Sequence, residues 1–223
     1  MTTPRLSELP LWERHEARVL HILRDALELL RARRPAGGEP ELNRELFFCI
    51  LEANRLNHDE DNDFWFEYAP AYEARNPPTP GTEDSASERK IPDLYWGYLD
   101  HEEPDPRRSS RNFVVECKRL GRPSGAGWVF NVHYADDGIR RFVDPEWRYG
   151  KDVGSGAMVG YIESMVSDMI LTEVNAAATR YGVLPISRNG TPTPPLHELA
   201  HVFDRTFEIT PFRLVHLWIE VPV

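Results

Sequence analysis

The chain has 223 residues, 41% of them hydrophobic and 28% charged, which suits one ordinary soluble domain with a real core. No stretch approaches the apolar run of about 18 residues that a membrane span requires. A formal net charge of −10 excludes a simple nucleic-acid-coating protein.

Residues 1–8 lack an apolar signal region, so a cytoplasmic protein with no membrane contact is expected. Leu11 to Arg33 reads as a long amphipathic helix, with Leu20, Leu23, Leu27 and Leu30 at helical spacing; Pro35 and Gly37-Gly38 end it. Glu41 to Leu56 reads as a second helix with Leu42, Leu46, Ile50 and Ala53 on one side. Residues 39–88 carry thirteen Asp or Glu against three Arg, so the remainder of the chain is close to neutral. Overlapping them, residues 57–89 are expected to form an acidic and Pro-rich loop insertion. Asp59 to Asp63 resembles the start of a calcium loop, but Phe64 and Pro70 stand where Gly and Glu are needed, which leaves a solvated acidic loop.

Two strands follow, Lys90–Leu99 and Asn112–Leu120, joined as a hairpin by a long polar connection. Residues two apart in a strand share a face. Glu116 and Lys118 therefore share a face with Val114, while Phe113, Val115 and Cys117 point into the expected core. Around them Arg107, Arg108, Arg111, Lys118, Arg119 and Arg122 meet only Asp105 and Glu116 between residues 105 and 122. Such a basic strip on an acidic protein is compatible with phosphate contact and predicts salt-dependent binding. Cys117 and Cys49 both lie in apolar runs and read as reduced, buried thiols.

Val132–Phe142 reads as a short helix and Gly154–Arg180 as a long one. Gly154 to Gly160 would be its flexible entry, where free N–H groups with Arg140, Arg141, Arg148 and Lys151 could hold a phosphate. A short helix is expected over Pro195–Phe203 and a half-buried strand over Phe212–Val221. Mixed helices and strands predict an α/β fold, a central mixed sheet flanked by helices.

Pro92-Asp93, a strand, and then Glu116-Cys117-Lys118 resemble the signature of the PD-(D/E)XK, or restriction-endonuclease-like, nuclease superfamily. An upstream helix carrying a glutamate belongs to that pattern. Glu45 matches it, with Glu41 one turn away as the alternative. Gly138 to Val143 with Met158 to Tyr161 resembles the following region of bacterial members linked to defence. The resemblance spans residues 41–165 and implies a single nuclease domain over 1–223, with residues 1–38 as an N-terminal helical extension. It implies a Mg²⁺-dependent deoxyribonuclease, with Mn²⁺ as a substitute, in anti-phage defence or restriction. Asp93, Glu116 and Glu45 would hold the metal, with the Cys117 carbonyl as a further ligand. Lys118 would orient the attacking water or neutralise charge on the phosphate. DNA is the implied partner, together with a second copy or a regulatory or sensor protein, because one site cuts one strand.

Two readings compete. The first is a zinc peptidase: His197-Glu198-Leu199-Ala200-His201 matches the H-E-x-x-H zinc signature, which on a helix puts two imidazoles one turn apart with Glu198 as general base. The extended form needs Gly at 204 and His at 207, where Asp204 and Phe207 stand. The second is a catalytically silent DNA-binding subunit.

Overall fold

In the computed structural model the described residues are 10–58, 63–78, 86–123, 125, 128–188, 194–207 and 209–222. The chain divides after Ala69 into two compact units.

The first unit is a helical pair. Helix α1, Leu11–Arg33, buries Val19, Ile22, Leu23, Ala26, Leu27 and Leu30 along one stripe, as the leucine spacing predicts. It ends where Arg34 turns left-handed (φ 52°) before Pro35. Helix α2, Glu39–Leu56, buries Leu42, Leu46, Cys49, Ile50 and Ala53. Its first turn is closed by the Glu41 carboxylate, which accepts the Gly38 N–H at 2.8 Å.

The second unit is α/β. Its strands are β1 (Ala71–Tyr72), β2 (Leu94–Leu99), β3 (Ser110–Leu120), β4 (Ser155–Ile162), β5 (Ser187–Arg188), β6 (Leu196–Phe203) and β7 (Phe212–Glu220). They form one seven-stranded mixed sheet in the order β1-β2-β3-β4-β7-β6-β5. The centre, β3-β4-β7, is parallel, and the outer pairs are antiparallel. The expected hairpin is present, with Leu94 opposite Val115 and Tyr95 opposite Val114. The expected helix over 132–142 is also present. It runs as α3 (Phe130–Tyr134), a π turn (Ala135–Ile139) and α4 (Arg140–Val143). Tyr134, Ile139 and Phe142 pack with Val114, Met158, Leu214 and Trp218 on one face of the sheet. Each such buried Leu or Phe side chain contributes about 1.5–3 kcal/mol.

Three expectations are corrected. Gly154–Arg180 is not one helix: Ser155–Ile162 is strand β4, and only Ser167–Ala178 is helix, α5. All eight residues of β4 are buried, so it carries no polar alternation and its Met and Ile residues mimic a helical stripe. Gly160 is required there, because a Cβ would collide with Leu120 and Trp218. Pro195–Phe203 is likewise a strand, β6, with alternate residues His197, Leu199, His201 and Phe203 buried. The terminal strand β7 exists, but it is buried on both faces rather than half-buried, because it lies inside the sheet between β4 and β6. Both cysteines are free and buried. Among the described residues, no helix is long and apolar enough to cross a membrane. Residues 59–62 of the expected acidic loop lie outside the described residues.

Candidate active site

Strand β2 begins only at Leu94, opposite Val115, so β3 runs on for five residues without β2 beside it. The backbone edge of Cys117 is thereby left open on that side. Asp93, the residue just before β2, fills the gap: its Oδ2 accepts the Cys117 N–H at 2.7 Å. The Cys117 carbonyl, on the same edge, accepts from Lys118 Nζ at 2.7 Å. Lys118 then folds back over its own strand to Glu116 Oε1 at 2.9 Å and lies 4.0 Å from Asp93 Oδ2. Asp93, Glu116 and Lys118 therefore converge on one spot. Their side chains are 17%, 0% and 9% exposed, so their charges act in a poorly screened setting.

A fourth charged group completes the cluster, and it was not singled out for this site from the sequence. Arg141 of α4 donates through Nη1 to the same Glu116 Oε1. Its guanidinium lies 4.4 Å over the Trp147 ring and 5.9 Å from that of Tyr149. Burial alone would lower the Arg141 pKa, but Glu116, Tyr149 and Asp93 together raise it, so the group stays charged. The π turn sets this helix directly over the site. A Cβ at Gly138 would displace the Met158 methyl and lie 3.5 Å from Lys118 Cγ, so this turn packs closely on the lysine stem. The available sequence signal for Arg141 was a charge placed seven residues after buried Tyr134 and next to buried Phe142.

Two carboxylates face two cations, yet the hydrogen bonding is incomplete. Glu116 Oε2, Arg141 Nε and the Tyr149 hydroxyl are all buried without a hydrogen-bond partner among the described residues. Burial pushes the Tyr149 hydroxyl pKa upward, and Glu116 pushes it further. The Cys117 thiol is likewise held protonated, first by burial and then by Asp93. Cys117 therefore contributes its backbone to the site and not a thiolate.

The helix acids have local duties in the other unit. Glu45 pairs with Arg33, which also pairs with Glu52, and Glu41 caps α2. Among the described residues no group of three or more His, Cys, Asp or Glu side chains could hold a metal ion. The pair Asp93 and Glu116, with the Cys117 carbonyl, is nevertheless an all-oxygen set. Mg²⁺ is often held by one or two carboxylates with waters and substrate phosphate supplying the rest. The unpartnered Glu116 Oε2 fits such an ion.

The H-E-x-x-H segment lacks zinc-site geometry. On strand β6, His197 and His201 are separated by about 13 Å of strand, and Glu198 points to the opposite face. His197 Nε2 meets Glu220 at 3.1 Å, and its Nδ1 is buried without a partner among the described residues. His201 belongs instead to a buried chain. Trp218 Nε1–H donates to the Tyr134 oxygen at 2.8 Å, which directs the tyrosine proton to His216 Nδ1 at 2.7 Å. His216 Nε2–H then faces His201 Nδ1 at 3.4 Å, and His201 Nε2–H donates to the Leu184 carbonyl at 2.6 Å. Both imidazoles are neutral in this arrangement. Burial lowers the His201 pKa to about 4 and takes His216 well below its ordinary value, with His201 adding to the latter.

The basic strip is more neutralised than its own residues suggest. Arg107 pairs with Asp105, Arg111 with Asp100 and Glu103, and Arg119 with Glu163. The Gly154–Gly160 segment opens a strand, so it offers no helix N-terminus for a phosphate. No protein-family model, no curated protein and no solved structure matches the chain.

Proposed function

We propose that this chain is a metal-dependent phosphodiesterase acting on DNA, with a restriction-endonuclease-like core. The observation that carries the reading is the convergence of Asp93, Glu116 and Lys118 beside the open backbone edge of Cys117. Asp93 and Glu116 would hold Mg²⁺, or Mn²⁺ in its place, with the Cys117 carbonyl within reach. Such an ion, when bound, polarises a phosphate oxygen and acidifies a water. Lys118 would turn its ammonium from Glu116 and the Cys117 carbonyl toward that water or toward the phosphate, where negative charge grows. Anti-phage defence or restriction is the proposed setting, with activity controlled by a second copy or a regulatory partner, since one site cuts one strand.

Supercoiled plasmid incubated with the purified protein should be nicked in Mg²⁺ and left intact in EDTA. Nicking should vanish in Asp93→Asn and in Lys118→Ala. Nicking that persists in Asp93→Asn would overturn the reading. One observation favours a second reading: Lys118 and Arg141 already balance both carboxylates, as in a subunit that binds DNA without cutting it. Salt-sensitive DNA binding with no cleavage in any divalent ion would select that alternative.

A further inference from the structure

We propose that Arg141 and Tyr149 form an anion-binding wall of this site, donating hydrogen bonds to a phosphate oxygen while Glu116 faces the accompanying cation. The proposal rests on the reading of the site as one for phosphate esters. Three buried polar atoms carry it: Glu116 Oε2, Arg141 Nε and the Tyr149 hydroxyl, none with a hydrogen-bond partner among the described residues. Buried polar groups are nearly always paired, and leaving one unpaired costs stability. Three in one cluster, two donors and one acceptor, specify what is missing. The donors call for anionic oxygen, and the carboxylate oxygen calls for a cation. A phosphate ester with a divalent ion supplies both at once.

The donors are held in place before any ligand arrives. Arg141 is anchored at Nη1 by Glu116 and stacked on Trp147, so its Nε edge has a fixed direction. Tyr149 is fully buried, edge-on to Phe142 at 5.7 Å and to Trp147 at 5.8 Å, and its N–H donates to the Arg141 carbonyl at 3.2 Å. Its oxygen faces the Arg141 guanidinium, which favours negative charge there, while its proton has no acceptor among the described residues. A phenylalanine would make the same ring contacts without an orphaned donor, so packing does not explain the tyrosine. Arg141 and Tyr149 touch substrate in this proposal and are catalytic residues.

The test uses the full-length protein, Tyr149→Phe and Arg141→Lys, with inorganic phosphate as probe in the presence of Mg²⁺, read by ³¹P NMR. Tyr149→Phe should melt at the same temperature as the native protein or higher, because it removes an unpaired hydroxyl. It should bind Mn²⁺ unchanged by electron paramagnetic resonance, bind phosphate about tenfold more weakly, and nick plasmid with kcat reduced about tenfold. Arg141→Lys, which keeps the charge but loses the Nε donor, should weaken phosphate similarly. Phosphate binding by both variants equal to that of the native protein overturns the wall, as does a native protein that binds no phosphate. If the native protein binds phosphate and the variants do not, but no divalent ion supports cleavage, the wall stands and the phosphodiesterase reading falls. If plasmid is cut equally by all three proteins, the wall alone falls.

Discussion

Two buried polar clusters lie in register on the same face of the sheet, and they differ in completeness. Glu116 pairs in register with Met158, and Met158 with His216, so the carboxylate and the imidazole sit two strands apart in one row. The cluster around His216 is closed: from the Trp218 N–H to the Leu184 carbonyl, every donor meets an acceptor and no net charge is present. The cluster around Glu116 carries four charges and leaves three polar atoms unmet among the described residues. A completed network fixes packing and gains nothing from a ligand. An incomplete one costs stability alone and recovers it when something binds. The comparison separates a polar core that is complete in itself from one that leaves room for the ligand the proposed function requires.

Substitutions should therefore act on opposite properties in the two places. The largest effect is expected at the charged cluster: Asp93→Asn or Lys118→Ala should reduce Mg²⁺-dependent nicking by about 10²–10³-fold. Asp93→Asn should melt near the native protein because it still accepts the Cys117 N–H, and Lys118→Ala should melt lower because it removes a buried partner of Glu116. Next comes acid sensitivity, which belongs to the histidine chain. The His201 pKa is lowered to about 4 in the folded state, so below the ordinary imidazole range the unfolded chain binds the proton first. Stability is complete above about pH 6.5 and falls as the pH drops toward 4, by on the order of 3 kcal/mol from this residue, with His216 adding in the same direction. Urea titrations at pH 7.5 and 5 should show the loss, and His201→Gln should flatten it. Third, His216→Leu should cost about 1–3 kcal/mol by orphaning the Tyr134 hydroxyl and His201, read as a lower urea midpoint, while phosphate binding is retained. A loss of phosphate binding there would merge the two clusters into one functional unit. Smallest of all, Arg107→Ala removes a solvent-facing ion pair with Asp105 and should leave the melting temperature unmoved.

Much of this was legible in the residues. The hairpin announced itself through apolar strands around charged positions, and the α1 stripe through leucines at helical spacing. The convergence of Asp93 with Glu116 and Lys118 follows from strand alternation plus the hairpin register. Strand β4 was hidden because a strand buried on both faces loses its alternation, and β6 because His197 and His201 match a helical motif while sharing a strand face equally well. The partial neutralisation of the basic strip was hidden because Asp100, Glu103 and Glu163 lie outside the counted window and arrive by folding. Arg141 escaped because its partner Glu116 is 25 residues away, joined only when the π turn lays α4 over β3.

The late start of β2 has a consequence for how this site tolerates change. At position 117 the main chain supplies both an amide and a carbonyl to the cluster, while the thiol is buried and protonated. Any small apolar residue could stand there without altering the groups the proposed site draws on, and only proline would delete the amide. Part of the proposed site is thus written in the shape of the strand rather than in an amino-acid identity, so drift at this position would leave it intact.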